Sequence, residues 1–319
     1  MQARPSSPRP VDQTWLASAQ GARHRPRWAL LVASLRPEQW SKNLLVFAGP
    51  AFGARLLDPP ALWAAVATFA VFCALSGAVY LFNDLADVAS DREHPVKRAR
   101  PIASGQLPPR VALVAGIVLG LAALAGAVAV RPAVGAVAAG YLVLLSAYSA
   151  LLKHYAIIDV LTIAAGFVLR AAAGALAVDV KMSDWLLVCT TLLALFLALS
   201  KRRHELTLLA DGVGGHRRIL EDYSPYLLDQ MISVVTASTL VAYCVYATSA
   251  DTSARLGTTH LSLTIPFVIY GIFRYLYLVH RKEGGGSPAD LLLTDKPLLA
   301  CVGLWAGSVV ALLYSPLGR

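Results

Sequence analysis

Asn83, Asp84, Asp87 and Asp91 stand close together at the end of a long apolar run. On a helix Asp84, Asp87 and Asp91 are i, i+3 and i+7 and share one face, and Asn83, Asp87 and Asp91 form an i, i+4, i+8 row. Carboxylates this dense repel one another unless a cation lies between them. Mg2+ suits such oxygen donors and keeps waters of its own while it bridges a substrate's phosphates. The plainer reading is an interfacial acidic helix end balanced by nearby arginines. It leaves spare charge on the end of a deep apolar helix, where charge is costly.

Three basic regions could complete such a site. Arg92, Lys97, Arg98 and Arg100 follow the acidic run at once, in a segment shaped by Pro95, Pro101 and Gly105. Cations there neutralise phosphate oxygens that a metal does not reach, although ordinary cytoplasmic positive charge explains any one of them. His94 reads as a surface histidine. The second region holds Lys153, Asp159 and Arg170. Asp159 and Arg170 are eleven residues apart, about three helical turns, and so face the same way. Gly166 and Gly174 flank Arg170 and permit close approach of another helix. An arginine that deep needs an anionic partner or a polar cavity, and an ion pair with another helix would also serve. The third region is Lys201-Arg202-Arg203-His204-Glu205. It reads either as a phosphate clamp at headgroup depth or as a topogenic stop signal. No P-loop, dinucleotide fingerprint or nucleophile triad is present.

The elements that position these residues must be membrane helices. The chain is 57% hydrophobic and 15% charged, with a mean hydropathy of +0.59, against about a quarter charged in soluble domains. Apolar segments at 30–56, 61–83, 111–130, 133–152, 156–178, 185–200, 229–249, 260–279 and 296–315 predict about nine spans. The first is interrupted by Arg36-Pro37-Glu38-Gln39-Trp40-Ser41-Lys42-Asn43, which needs a pocket or the interface to sit in. Residues 1–28, rich in Pro, Arg, Ser and Gln, read as a disordered basic cytoplasmic arm, and 29–319 as one transmembrane domain. With the N-terminus inside, twenty Lys and Arg fall inside and five outside. The positive-inside rule therefore sets the N-terminus in the cytoplasm and the C-terminus outside. The net charge of +9 is then topogenic and implies no nucleic acid. Cys73, Cys189, Cys244 and Cys301 each lie in an apolar run and suggest neither disulfides nor metal ligation. The acidic groups share the inner face with the basic loops, as in an enzyme working at one leaflet. A transporter more often places ionisable groups near the midplane.

At these residues the chain resembles the UbiA superfamily of intramembrane prenyltransferases, from Leu31 onward. The layout of spans, the Asn-Asp-x-x-Asp-x-x-x-Asp element at 83–91 and the polar region after span four carry the resemblance. Within it, Arg36 to Asn43, His94-Pro95-Val96-Lys97, Arg100 to Gly105, Gly166 to Arg170, Lys201 to Leu206, Pro266 to Tyr275 and Asp295-Lys296-Pro297 look like the decaprenyl-phosphate phosphoribosyltransferase branch. The resemblance implies an all-α polytopic bundle with its active site at the cytoplasmic face of the cell membrane. It implies transfer of 5-phosphoribose from phosphoribosyl diphosphate (PRPP) to a polyprenyl phosphate, which feeds arabinan and cell-wall precursors. It implies Mg2+ held by Asn83, Asp87 and Asp91, with Asp84 and Asp159 as further catalytic groups. Arg36, Gln39, Lys42, Asn43, Lys97, Arg100, Lys153, Arg170, Lys201 and Arg202 are the substrate-binding candidates it implies. The division of these cations among the phosphates, and any homo-oligomer, stay open. The aryl-prenylating branch usually has a second aspartate pair after span four, where this chain has Asp159 alone, and an Arg where it has Val96. Both differences weigh against aromatic prenyl transfer, the first alternative. A transporter or non-catalytic membrane scaffold is the second.

Overall fold

The structure, a computed structural model, describes residues 26–94, 97–210, 218–281, 291 and 294–314. Most of the arm expected at 1–28 lies outside this range, as do Pro95, Val96, Arg217, Lys282, the glycines at 284–286 and Arg319. The regular structure among the described residues is all helical, with no strand. The helices are α1 (Arg27–Ser34), α2 (Ala48–Phe52), α3 (Pro59–Ala86), α4 (Val88–Glu93), α5 (Pro109–Val130) and α6 (Pro132–Ala150). They continue with α7 (Ile158–Ala177), α8 (Asp184–Ala210), α9 (Pro225–Thr248), α10 (Ala250–Leu256), α11 (Ile265–Arg281) and α12 (Lys296–Tyr314). Eight described segments are long and apolar enough to cross a membrane.

The starts of α3, α5, α6 and α9 are set by a proline in the first turn. Its missing N–H costs nothing there and its φ is already helical. The expected spans follow these helices closely, with two differences. The apolar pattern of span six ends at 200, but α8 continues to Ala210, so the Lys201–Glu205 cluster is helical and not a loop. The first expected span, 30–56, is not one helix. α1 ends at Ser34, Arg36 takes a left-handed conformation (φ 54°, ψ 65°), and Pro37–Phe47 winds as a 3-10 helix before α2.

Such irregular backbone in an apolar segment has to be enclosed by protein. Here α7 encloses it. A Cβ on Gly174 would lie 1.7 Å from the Val46 carbonyl oxygen, and one on Gly49 would lie 2.5 Å from Ala175 Cα. Gly174 is thus the residue that lets the 3-10 segment rest backbone to backbone on α7. Gly166 meets only ordinary contacts from Leu145 and Tyr141.

Two of the four apolar clusters among the described residues meet at α7. One joins Val46, Phe72, Leu75, Ala138, Tyr141 and Ala173, from the first segment, α3, α6 and α7. The other joins Val160, Phe196, Leu228, Ile232, Tyr275 and Leu298, from α7, α8, α9, α11 and α12. α7 belongs to both cores and contacts both α6 and α8. The polar groups at its N-terminal end therefore lie between the two halves.

Candidate active site

The acidic run begins where α3 ends. Asp87 leaves helical geometry (φ −93°, ψ 8°), and α4 starts at Val88. The ladder is kept across this bend, since the Asp87 N–H donates to the Asn83 carbonyl and the Asp91 N–H to the Asp87 carbonyl. The bend divides the row into two sets. Asp84 and Asp91 share one guanidinium: Arg100 Nη1 is 3.1 Å from Asp84 Oδ1 and 2.6 Å from Asp91 Oδ2. Arg36, at the entry to the 3-10 segment, adds a second cation to Asp84 at 2.5 Å and lies 4.7 Å over the Tyr80 ring. Both carboxylates are buried.

Asn83 and Asp87 face the turn between α6 and α7. Lys153 Nζ is 3.0 Å from Asp87 Oδ1, and the Ser149 hydroxyl donates to Asn83 Oδ1. Asp87 stays 38% exposed, the most open of the three carboxylates. Arg36, Arg100, Lys153, Asn83, Asp84, Asp87 and Asp91 thus lie as two neighbouring sets, drawn from four separate segments and joined through the backbone of the bend.

Asp159 belongs to neither set. It is completely buried in the first turn of α7, where Arg202 Nε donates to Oδ2 at 2.7 Å and the Tyr223 hydroxyl donates to Oδ1 at 2.8 Å. Arg202 is only 1% exposed, and it also donates to Glu205 and to the Tyr148 hydroxyl. With all three of its nitrogens engaged inside the bundle, it is a brace between α7 and α8 and offers no open face to a lipid phosphate. Arg203 is spent on Asp229, and Lys201 lies 3.9 Å from Glu205.

Arg170 does not reach Asp159 or the acidic cluster. Its Nε donates to Asn43 Oδ1 (2.7 Å), Nη1 to the Gly166 carbonyl (3.0 Å) and Nη2 to the Tyr141 hydroxyl (2.6 Å). The guanidinium sits 4.8 Å and 5.2 Å from the Tyr141 and Phe167 ring centres. Asn43 in turn donates to Cys73 Sγ and accepts from Ser76. The residue expected on a substrate phosphate therefore ties the 3-10 segment to α6 and α7 through neutral partners. Gln39 and Lys42 are half-buried on that same segment, and Lys97 is exposed beside the acidic bend. His94 Nδ1 accepts the Lys97 N–H at 3.3 Å. Partial burial and the Lys97 charge hold its pKa below the usual histidine value, as befits a loop cap.

Sequence reasoning missed Tyr141 and Tyr223, and it placed Tyr148 and Ser149 beside Lys153, and Glu205 in the 201–205 cluster, without giving them a role. All but Glu205 are hydroxyls whose partners lie far along the chain, so nothing local marks them. Glu205 three residues after Arg202 was a readable i, i+3 pair.

The donors nearest the open side, Asn83 and Asp87, are oxygens, as a hard cation requires. Among the described residues no group of three or more His, Cys, Asp or Glu could by itself hold a metal. The set fits a cation such as Mg2+ that takes one or two carboxylates and completes its shell with substrate phosphates and water.

The family profile described as UbiA prenyltransferase family matches residues 44–293. The chain is 34% identical over 287 residues to a decaprenyl-phosphate phosphoribosyltransferase of Mycobacterium tuberculosis, covering 88% of this chain and 93% of that one. It is 35% identical over 298 residues to the protein of that name from Mycolicibacterium smegmatis, covering 89% and 92%. A UbiA homolog from Archaeoglobus fulgidus, solved bound to DMAPP and Mg2+, superposes with a TM-score of 0.69 at 19% identity over 90% of this chain and 98% of that one. With the sequence matched over most of its length and the helical fold shared, this integral membrane protein belongs to the UbiA prenyltransferase family.

Proposed function

We propose that the chain transfers the 5-phosphoribosyl group of PRPP to a polyprenyl phosphate of the decaprenyl kind and releases diphosphate. The names of relatives at 34% and 35% identity support this reading. The structural observation that carries it is the state of Asp159. A prenyl diphosphate site of the aryl branch calls for a second open carboxylate pair after α6. Here the lone carboxylate is buried with both oxygens taken, and Lys153 stands against the acidic row instead. One acidic row ringed by cations suits a donor and an acceptor that both bring phosphate.

In the reaction the bond from ribose C1 to diphosphate oxygen breaks and a bond from C1 to a lipid phosphate oxygen forms. Positive charge builds on the ribose ring and negative charge on the leaving diphosphate. Asn83 and Asp87, with Asp91, would hold Mg2+ against the diphosphate, where the metal serves as a Lewis acid for the leaving group. Asp84 and Asp91 fix the Arg100 guanidinium, and Asp84 fixes that of Arg36, so both cations are aimed before substrate arrives. Lys153 adds a charge on the opposite side of Asp87. The lipid phosphate is already an anion near neutral pH, so the site needs no strong general base. Its task is to hold the two substrates in line. PRPP is water-soluble and cytoplasmic, which fits an acidic face on the cytoplasmic side of the cell membrane. An N-terminus inside and a C-terminus outside then require the broken first segment to cross together with the eight long helices.

Purified protein offered PRPP with polyprenyl phosphate should form a ribosylated lipid. Offered a polyprenyl diphosphate with an aromatic acid, it should form nothing. Product from the second mixture alone would replace this reading with aromatic prenyl transfer.

A further inference from the structure

We propose that Tyr223 is a positioning residue for this reaction, its hydroxyl fixing the turn between α6 and α7 so that Lys153 stands against Asp87. The inference rests on the phosphoribosyl-transfer reading above. Tyr223 lies just before α9, and its ring is 4% exposed, packed with Val160, Leu220 and Leu228. Its hydroxyl makes two bonds at once: it accepts the Ile157 N–H at 2.7 Å and donates to Asp159 Oδ1 at 2.8 Å. Burial, aided by the Asp159 carboxylate, pushes the phenol up to about 12, so the donor keeps its proton.

Both bonds hold something that would not hold itself. Ile157 sits at φ 69° and ψ −47°, and the Ile158 N–H returns to the Ala156 carbonyl at 2.8 Å. This is a γ-turn of the hand that is strained for L-residues, here on a β-branched side chain, which tolerates positive φ worst. Ile157 is 48% exposed, so packing does little to compensate. A conformation like this persists only where its surroundings over-determine it. Tyr223 supplies that constraint from one side, and Arg202 on Asp159 Oδ2 supplies it from the other. Four residues earlier in the same turn is Lys153. The Leu152–His154 turn also rests on Arg218–Asp222, the segment that leads into Tyr223. The placement of Lys153 on Asp87 is therefore set from the far side of the bundle.

The test uses full-length protein in detergent with PRPP labelled in its ribose. Tyr223→Phe keeps the ring and removes the hydroxyl. It should raise the apparent KM for PRPP about tenfold, the loss expected when Lys153, displaced from Asp87, no longer makes one charge-assisted hydrogen bond to a PRPP phosphate, and leave the KM for polyprenyl phosphate unchanged. Placed on Lys153→Gln, the same change should add less than about twofold, because residues acting through one another are not additive. Ile157→Gly accepts the turn's φ without strain and should recover most of the Tyr223→Phe loss while being near-silent alone. If Tyr223→Phe does not fold alone, the Tyr223→Phe/Ile157→Gly double variant should fold with a KM for PRPP near the wild-type value, and a double variant whose KM stays tenfold raised overturns the proposal. In Tyr223→Phe alone, an unchanged KM for PRPP, an equal effect on both substrates, or full additivity with Lys153→Gln overturns it. Wild-type protein that moves no ribose label to lipid sinks the reaction reading itself, and the Tyr223 role with it.

Discussion

Asp84 and Asp91 are buried and each is held by a guanidinium, whereas Asp87 is 38% exposed and paired with Lys153. The difference separates two roles that a bare row of carboxylates cannot distinguish. Asp87→Asn should remove turnover by at least about a hundredfold, since it strips an anionic ligand from the leaving-group side. It should leave the melting temperature nearly unchanged. Asp91→Asn should lose turnover and also lower the melting temperature, because Arg100 then keeps one charged partner out of two. Rates and melting curves on the same detergent-purified variants check both, and an active Asp87→Asn at low Mg2+ would remove Asp87 from the metal. Arg170→Lys should mainly destabilise. Lysine cannot span Asn43, the Gly166 carbonyl and Tyr141 together, so about 1.5–3 kcal/mol per charged hydrogen bond is at stake. The rate per folded molecule should stay within about threefold, and a stable but inactive Arg170→Lys would return Arg170 to the substrate. The acidic row and its basic loop were readable because their spacing is local. The directions taken by Arg170 and Arg202 were not, because each answers to partners supplied by tertiary packing: Arg170 to Asn43, 127 residues away, and Arg202 to Asp159, 43 away.

At the scale of elements, the first segment decides where the site can form. Arg36 turns the chain into the 3-10 stretch, which carries Gln39, Lys42 and Asn43 past α3 and onto α7. Composition revealed this segment as an apolar run with a polar interruption. It could not reveal the unwinding, because that depends on Gly174 admitting the Val46 carbonyl. Gly174→Ala should therefore be severely destabilising, although alanine normally favours a helix by about 1 kcal/mol over glycine. Gly140→Ala, where a Cβ meets nothing within 4 Å, is the control and should be silent. Yield and melting temperature decide, and a well-folded Gly174→Ala would contradict the close approach. The other helices were legible because length, apolar content and an N-terminal proline act locally. α8 runs past its expected end because Arg202, Arg203 and Glu205 find partners that keep the charged extension helical.

Across the whole molecule, the acidic bend, the α6–α7 turn and the end of α8 come together where the two apolar cores meet at α7. The lysine and arginine bias predicts that this end faces the cytoplasm. A cysteine placed at exposed Ser104 should react with an impermeant thiol reagent only after cells are opened, and labelling of intact cells would reverse the orientation. In phosphoribosyl transfer, ribose and diphosphate part company at this site. The most direct measurement gives purified protein PRPP labelled with carbon in the ribose and with phosphorus in the diphosphate, together with polyprenyl phosphate and Mg2+. The ribose label should enter the lipid phase while the diphosphate label stays in water as free diphosphate, and chelating the metal should stop both the transfer and the release. Ribose label that never leaves the aqueous phase, or diphosphate label that follows it into lipid, would contradict phosphoribosyl transfer.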